Sequence, residues 1–168
     1  MPSPLTISIR IQPHLVNFLE SLFGSQPISF PRKNNFNRIL NKFMEKEPAT
    51  SSNYIRSDTN LEIQLPYFED KNVLYNFNLS AIQESVLVDK IENTFKLTFR
   101  DEMDQYRLLE IKTFKAIQLF MEKYSINQDS YDMLIKDYQR YRNSRYVLDH
   151  RKIKKISSVK SAFCPVCH

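Results

Sequence analysis

A single glycine, Gly24, in 168 residues leaves little room for chemistry that needs the backbone to approach a phosphate closely. Phosphate-cradling loops and dinucleotide fingerprints each need several such residues, which excludes Walker-type and GxGxxG nucleotide sites. Tryptophan is absent, and the two cysteines are Cys164 and Cys167. No apolar run approaches the length of a membrane-spanning helix. The opening "MPSPLTISIRIQ" lacks the basic start and long apolar stretch of an export signal, so the expectation is a cytoplasmic protein with no membrane partner. A cytoplasm keeps thiols reduced, which argues against a disulfide between the two cysteines.

Catalytic patterns are sparse as well. His14, His150 and His168 fall at a helix start and in the C-terminal segment, away from any nucleophile elbow, and neither HExxH nor an EF-hand loop occurs. The chain is therefore expected not to be an enzyme, and no small-molecule cofactor is expected.

What is present is a folding composition, 42% hydrophobic and 26% charged with 12 Phe and 9 Tyr, enough to bury a core. Charge is unevenly placed. The formal net charge is +5, yet from Lys136 onward nine Lys or Arg face only Asp137 and Asp149, which leaves the first 135 residues slightly negative. Such asymmetry points to a polyanion partner for the C-terminal end, nucleic acid first; a solvated basic tail is the plain alternative.

"LTISIRIQ" alternates, with Leu5, Ile7, Ile9 and Ile11 on one face and Thr6, Ser8 and Arg10 on the other, the pattern of a half-buried strand. Pro13 suits a first helical turn, and Leu15, Phe18, Leu19, Leu22 and Phe23 follow at helical spacing until Gly24, giving a helix over 13–23. "SQPISFP" reads as a loop. Phe36, Ile39, Leu40, Phe43 and Met44 mark a second amphipathic helix, and the polar stretch 45–60 reads as a linker or loop. "LEIQLPYF" alternates again, a second strand limited by Pro66 to an edge or strand end.

Ser80 with Gln83 forms a capping box, after which Val88, Ile91, Phe95, Phe99, Met103 and Tyr106 recur every three or four residues, predicting a helix of about seven turns. A break near 107–110 leads into a helix carrying Phe114, Ile117, Met121 and Tyr124. "SINQD" is then a short turn, with Asn127 or Asp129 capping a last helix over 129–146.

Two helices joined by a short turn around apolar Ile126 have the layout of a helix-turn-helix. In the second, Tyr131, Leu134, Ile135, Tyr138 and Tyr141 make an inward stripe, and Asp132, Lys136, Gln139, Arg140 and Asn143 the opposite face. The last four reach phosphates or base edges, Arg to guanine and Gln or Asn to adenine, whereas Asp129, Asp132 and Asp137 repel phosphate. A helical hairpin that merely completes a bundle is the structural alternative. On residues 110–145 the chain resembles the helix-turn-helix of phage Mor-type transcription activators. On "LPYFEDKNVLYNFNLS" and "DSYDMLIKDYQRYR" the whole chain is similar to an uncharacterised family found near mobile elements in Bacteroidota.

The N-terminal strand followed by two helices resembles the ribbon-helix-helix proteins, and that resemblance implies Thr6, Ser8 and Arg10 as groove-facing contacts. The strand over 61–68 could instead pair with the first in the same chain, a plain β-ribbon on helices. Glu69 and Lys71 at a strand end, with Asp58 upstream, resemble the D...ExK pattern of metal-dependent nucleases.

The terminal "CPVCH" has the CxxCH spacing of a covalent c-type haem site, and the missing export signal argues against that chemistry. Zinc on Cys164, Cys167 and His168, with His150, His14 or a second chain as fourth ligand, is the one cofactor candidate. A redox-sensitive pair and an inert terminus are the alternatives.

The expected fold is α+β, mainly α: a β-ribbon and helix-pair domain over 1–70, a helical domain over 75–148 ending in a helix-turn-helix-like hairpin, and a basic flexible tail over 149–168. The expected function is DNA binding, as a transcriptional regulator or accessory factor of mobile DNA. Lys136, Gln139, Arg140, Asn143 and Arg145 would contact groove and phosphate, Arg151, Lys152, Lys154 and Lys155 would add an electrostatic clamp, and a homodimer would extend the site. A protein interaction or assembly module and a metal-dependent nuclease are the competing classes.

Overall fold

The computed structural model describes residues 5–45, 58–65 and 79–145, and the chain divides into two units, Met1–Gln128 and Asp129–His168. It is α+β and mainly helical, with a small sheet near the N-terminus.

In the first unit, β1 (Thr6–Ile9) pairs antiparallel with β3 (Leu61–Gln64) in the register Thr6 to Gln64 and Ser8 to Glu62. β2 (Ile28–Ser29) runs parallel to β3 on its other side, so the order is β1-β3-β2. The stretch expected to be only a loop, "SQPISFP", therefore donates two residues to the sheet. The alternation in β1 and β3 is borne out: Ile7, Ile9, Ile11, Leu61, Ile63 and Leu65 are buried, whereas Thr6, Ser8, Arg10 and Glu62 are exposed. Asn60 fixes the register beyond the strand end. Its side-chain amide donates to the Ile11 carbonyl at 2.7 Å and accepts from the Ile11 N–H at 2.9 Å, imitating one more rung of backbone pairing.

α1 (Pro13–Phe23) begins with proline inside its first turn and closes at Gly24, whose positive φ of 96° suits glycine and whose N–H donates to the Glu20 carbonyl at 2.9 Å. Its buried side is Leu15, Val16, Phe18 and Leu19, with His14. α2 (Asn35–Glu45) buries Phe36 and Leu40, and Phe23, Phe30 and Phe36 form one ring cluster, Phe30 and Phe36 lying 4.9 Å apart.

α3 (Ala81–Leu108) starts with the expected capping box: the Ser80 hydroxyl accepts from the Gln83 N–H at 3.3 Å, and the Gln83 side chain accepts from the Ser80 N–H at 2.9 Å. Its buried stripe is Leu87, Ile91, Phe95, Phe99 and Met103; Val88 and Tyr106 are only half-buried. Strict four-residue spacing rotates the stripe slowly around the helix, so its start falls on Leu87.

α4 (Thr113–Lys123) packs on α3 through Ala116, Ile117, Phe120 and Met121. Phe114, expected on that face, is 58% exposed. Phe120 is the centre of the core: its ring lies 4.9 Å from Phe99, 5.9 Å from Phe95 and 4.7 Å from Tyr124, and Phe18 of α1 reaches Phe95 and Tyr124 at 5.1 and 5.0 Å. Each fully buried ring contributes about 1.5–3 kcal/mol by burial alone. Glu102 pins the same seam by accepting from Tyr124 Oη at 2.5 Å and Lys123 Nζ at 2.7 Å. The hydrogen bond to Glu102 raises the Lys123 pKa, while burial first and the Glu102 carboxylate second raise that of Tyr124.

α3 and α4 end alike. After α3, the Ile111 N–H donates to the Tyr106 carbonyl at 3.0 Å and Glu110 adopts φ 59°; after α4, the Ile126 N–H donates to the Met121 carbonyl at 2.9 Å and Ser125 adopts φ 52°. Both are Schellman closures built without glycine at the left-handed position, and Ile126 is buried as the apolar residue that accompanies such a turn.

Among the described residues no helix is long and apolar enough to cross a membrane.

Candidate nucleic-acid interface

The second unit is described from Asp129 to Arg145. A 3-10 turn over Gln128–Ser130 crosses into it, and the backbone is helical over 131–145, the last described residues. The expected helix thus begins two residues late, because the "SINQD" turn is spent on the α4 closure and the 3-10 turn.

At 100° per residue, Lys136, Gln139, Arg140 and Asn143 share one face of this helix, and all four are exposed. Asp132 stands at the start of the same face and is also exposed. On the other side Leu134 and Tyr138 are buried and Tyr131, Ile135 and Tyr141 are half-buried, the stripe that the sequence marked. Arg145, counted with the reading face from sequence, sits one turn beyond Tyr141. Its Nη1 donates to the Tyr141 hydroxyl at 2.9 Å, and its guanidinium lies 5.9 Å from that ring; Arg142 lies 6.0 Å from the Tyr138 ring in the same way. The structure therefore brings Lys136, Gln139, Arg140 and Asn143 together and places Arg145 apart from them.

The strand candidates lie elsewhere. Thr6, Ser8 and Arg10 face out from the sheet, with Glu62 directly across from Ser8 and Asp58 ion-paired to Arg10. β1 takes its partner, β3, from within the chain. Asp58 of the nuclease-like pattern is thereby held by Arg10, while Glu69 and Lys71 lie outside the described residues. So do Arg151, Lys152, Lys154 and Lys155 and the zinc candidates Cys164, Cys167, His168 and His150. His14, the other candidate fourth ligand, is buried with its ring 5.1 Å from Phe95, and burial lowers its pKa despite the opposing pull of Glu92. Among the described residues, no group of three or more His, Cys, Asp or Glu is placed to hold a metal ion.

A second basic surface was missed from the sequence. Arg32, Lys33, Arg38 and Lys42 are all exposed, in and just before α2. The signal was available: no Asp or Glu occurs between Glu20 and Glu45.

No protein family, curated protein or solved structure matches this chain.

Proposed function

We propose that this chain binds duplex DNA through the 131–145 helix. One observation supports this reading above others: two cations and two amides, Lys136, Arg140, Gln139 and Asn143, stand exposed on one helical face at the start of the basic C-terminal stretch that begins at Lys136. Cations hold phosphates by charge, and side-chain amides and guanidinium match base edges in a groove that admits a helix. The role implied by the sequence resemblance is that of a regulator or accessory factor of mobile DNA.

The test is fluorescence anisotropy of a labelled mixed-sequence duplex with the full chain and with the K136E/R140E variant at 50 and 200 mM salt. Reversing both charges is expected to weaken low-salt binding at least about tenfold, since each phosphate contact contributes to the electrostatic affinity. Unchanged affinity overturns the reading.

A protein-docking role has its own observation. Leu108 and Leu109, at the corner between α3 and α4, are 80% and 71% exposed. That reading expects partner binding that survives K136E/R140E and is lost in L108S/L109S.

A further inference from the structure

We infer that the exposed side of α2, with the turn before it, is a second phosphate-backbone contact, so that the chain holds nucleic acid from both of its units. The inference rests on the duplex reading for the identity of the ligand and on α2 alone for the site.

Arg32 and Lys33 occupy the turn before α2, and Arg38 and Lys42 stand one helical turn apart on its exposed side with Asn35. None of the four pairs with a carboxylate among the described residues. Over residues 21–44 there is no acidic side chain to neutralise them. Lone cations on a surface are ordinary; four within eleven positions, with no acid inside the stretch, make a field of one sign that draws a polyanion. Arg38 and Lys42 are separated by about 6 Å along the helix axis, a span of about two phosphate steps of one strand. The positive end of the α2 dipole lies on the same side as Arg32 and Lys33 and adds to the attraction.

The shape of the surface selects among polyanions. A basic amphipathic helix that lies in a membrane needs its apolar face free, whereas Phe36 and Leu40 of α2 are buried, Phe36 in the ring cluster with Phe30. Among the described side chains of α2 none is a large exposed apolar residue. The positions described as exposed on α2, Asn35, Arg38 and Lys42, carry charge and amide, the chemistry of backbone holding, which positions a duplex without reading it. The division of labour is then specific: α2 grips phosphates, and the 131–145 helix supplies the amides that touch bases.

Salt dependence measured on the full chain separates the possibilities. Wild type, R38Q/K42Q and K136Q/R140Q are titrated into a labelled duplex between 50 and 200 mM salt, with circular dichroism to confirm that each variant is folded. Glutamine keeps helix propensity and removes only charge. If α2 holds two phosphates, R38Q/K42Q flattens the slope of log affinity against log salt by about 1.8, so that wild type loses about 12-fold more affinity than the variant over that range. A folded R38Q/K42Q with the wild-type slope overturns this inference and leaves the duplex reading standing. Loss in R38Q/K42Q but not in K136Q/R140Q supports the α2 site and overturns the 131–145 reading. Displacement of the duplex by poly-glutamate at equal charge concentration shows a general acid-binding surface and overturns the assignment to phosphate backbone. No binding by wild type at 50 mM overturns both.

Discussion

Replacing Phe120 with alanine removes the ring that joins α3, α4 and, through Tyr124 and Phe95, α1. Phe120 has no exposed surface, and its ring lies within 6 Å of three others, edge-on to Phe95 and Phe99 and tilted against Tyr124. Core Phe to Ala changes cost about 3–5 kcal/mol, and the surrounding rings, each held by a second neighbour, cannot collapse fully into the space, which places this site near the upper end, about 4–5 kcal/mol. With a urea m-value of about 2 kcal/mol/M for a chain of this size, the unfolding midpoint falls by about 2 M. Leu108→Ala is the internal control, because that side chain is 80% exposed and its removal is expected to cost no more than about 0.5 kcal/mol. Urea titrations of the two variants and wild type, followed by tyrosine fluorescence and circular dichroism, measure both changes. A midpoint within about 0.5 M of wild type for Phe120→Ala, or an equal fall for Leu108→Ala, refutes the packing account.

Two further outcomes are expected from the same titrations. Burial disfavours the charged form of His14, so the native state binds that proton less readily than the unfolded chain; its contribution is complete above the unfolded value of 6.5 and is lost as pH falls through 6.5 toward the lower folded value. Wild type should therefore lose more stability between pH 7.5 and 5 than His14→Gln, and parallel losses would refute the assignment. Glu110→Gly should raise stability by about 0.5–1 kcal/mol, since relief at a left-handed position outweighs the entropy that glycine adds to the unfolded chain; a fall in midpoint would show that φ 59° is held at no cost.

The elements with strong local signals were legible. Pro13 and Gly24 bracket α1, Ser80 and Gln83 start α3, and alternation marks β1 and β3, because each signal is a backbone or burial requirement met by neighbours in sequence. β2 was not, since two residues between Pro27 and Pro31 carry no period and gain their strand character only from β3. Phe114 was misplaced because its spacing from Ile117 fits a helical stripe, yet the stripe through Ile117, Phe120 and Tyr124 is centred about 90° away. At the candidate site, the 136, 139, 140 and 143 spacing was enough to define a face. The α2 surface escaped because charge was summed over 135 residues. Acids elsewhere in that block cancel Arg32, Lys33, Arg38 and Lys42 arithmetically, although no carboxylate among the described residues meets them in space.

The sheet order β1-β3-β2 sets a condition on the newborn chain. The middle strand is the last to be synthesised, so β1 and β2 wait for Leu61–Gln64 before either has a partner. Any fragment stopping short of Leu61 leaves the buried faces of Ile7, Ile9 and Ile28 without their central neighbour. Emerging at about 5–20 residues per second, the N-terminal segment spends several seconds as unpaired strand edges before the sheet can close. During that interval a chaperone, rather than the fold itself, would have to shield them.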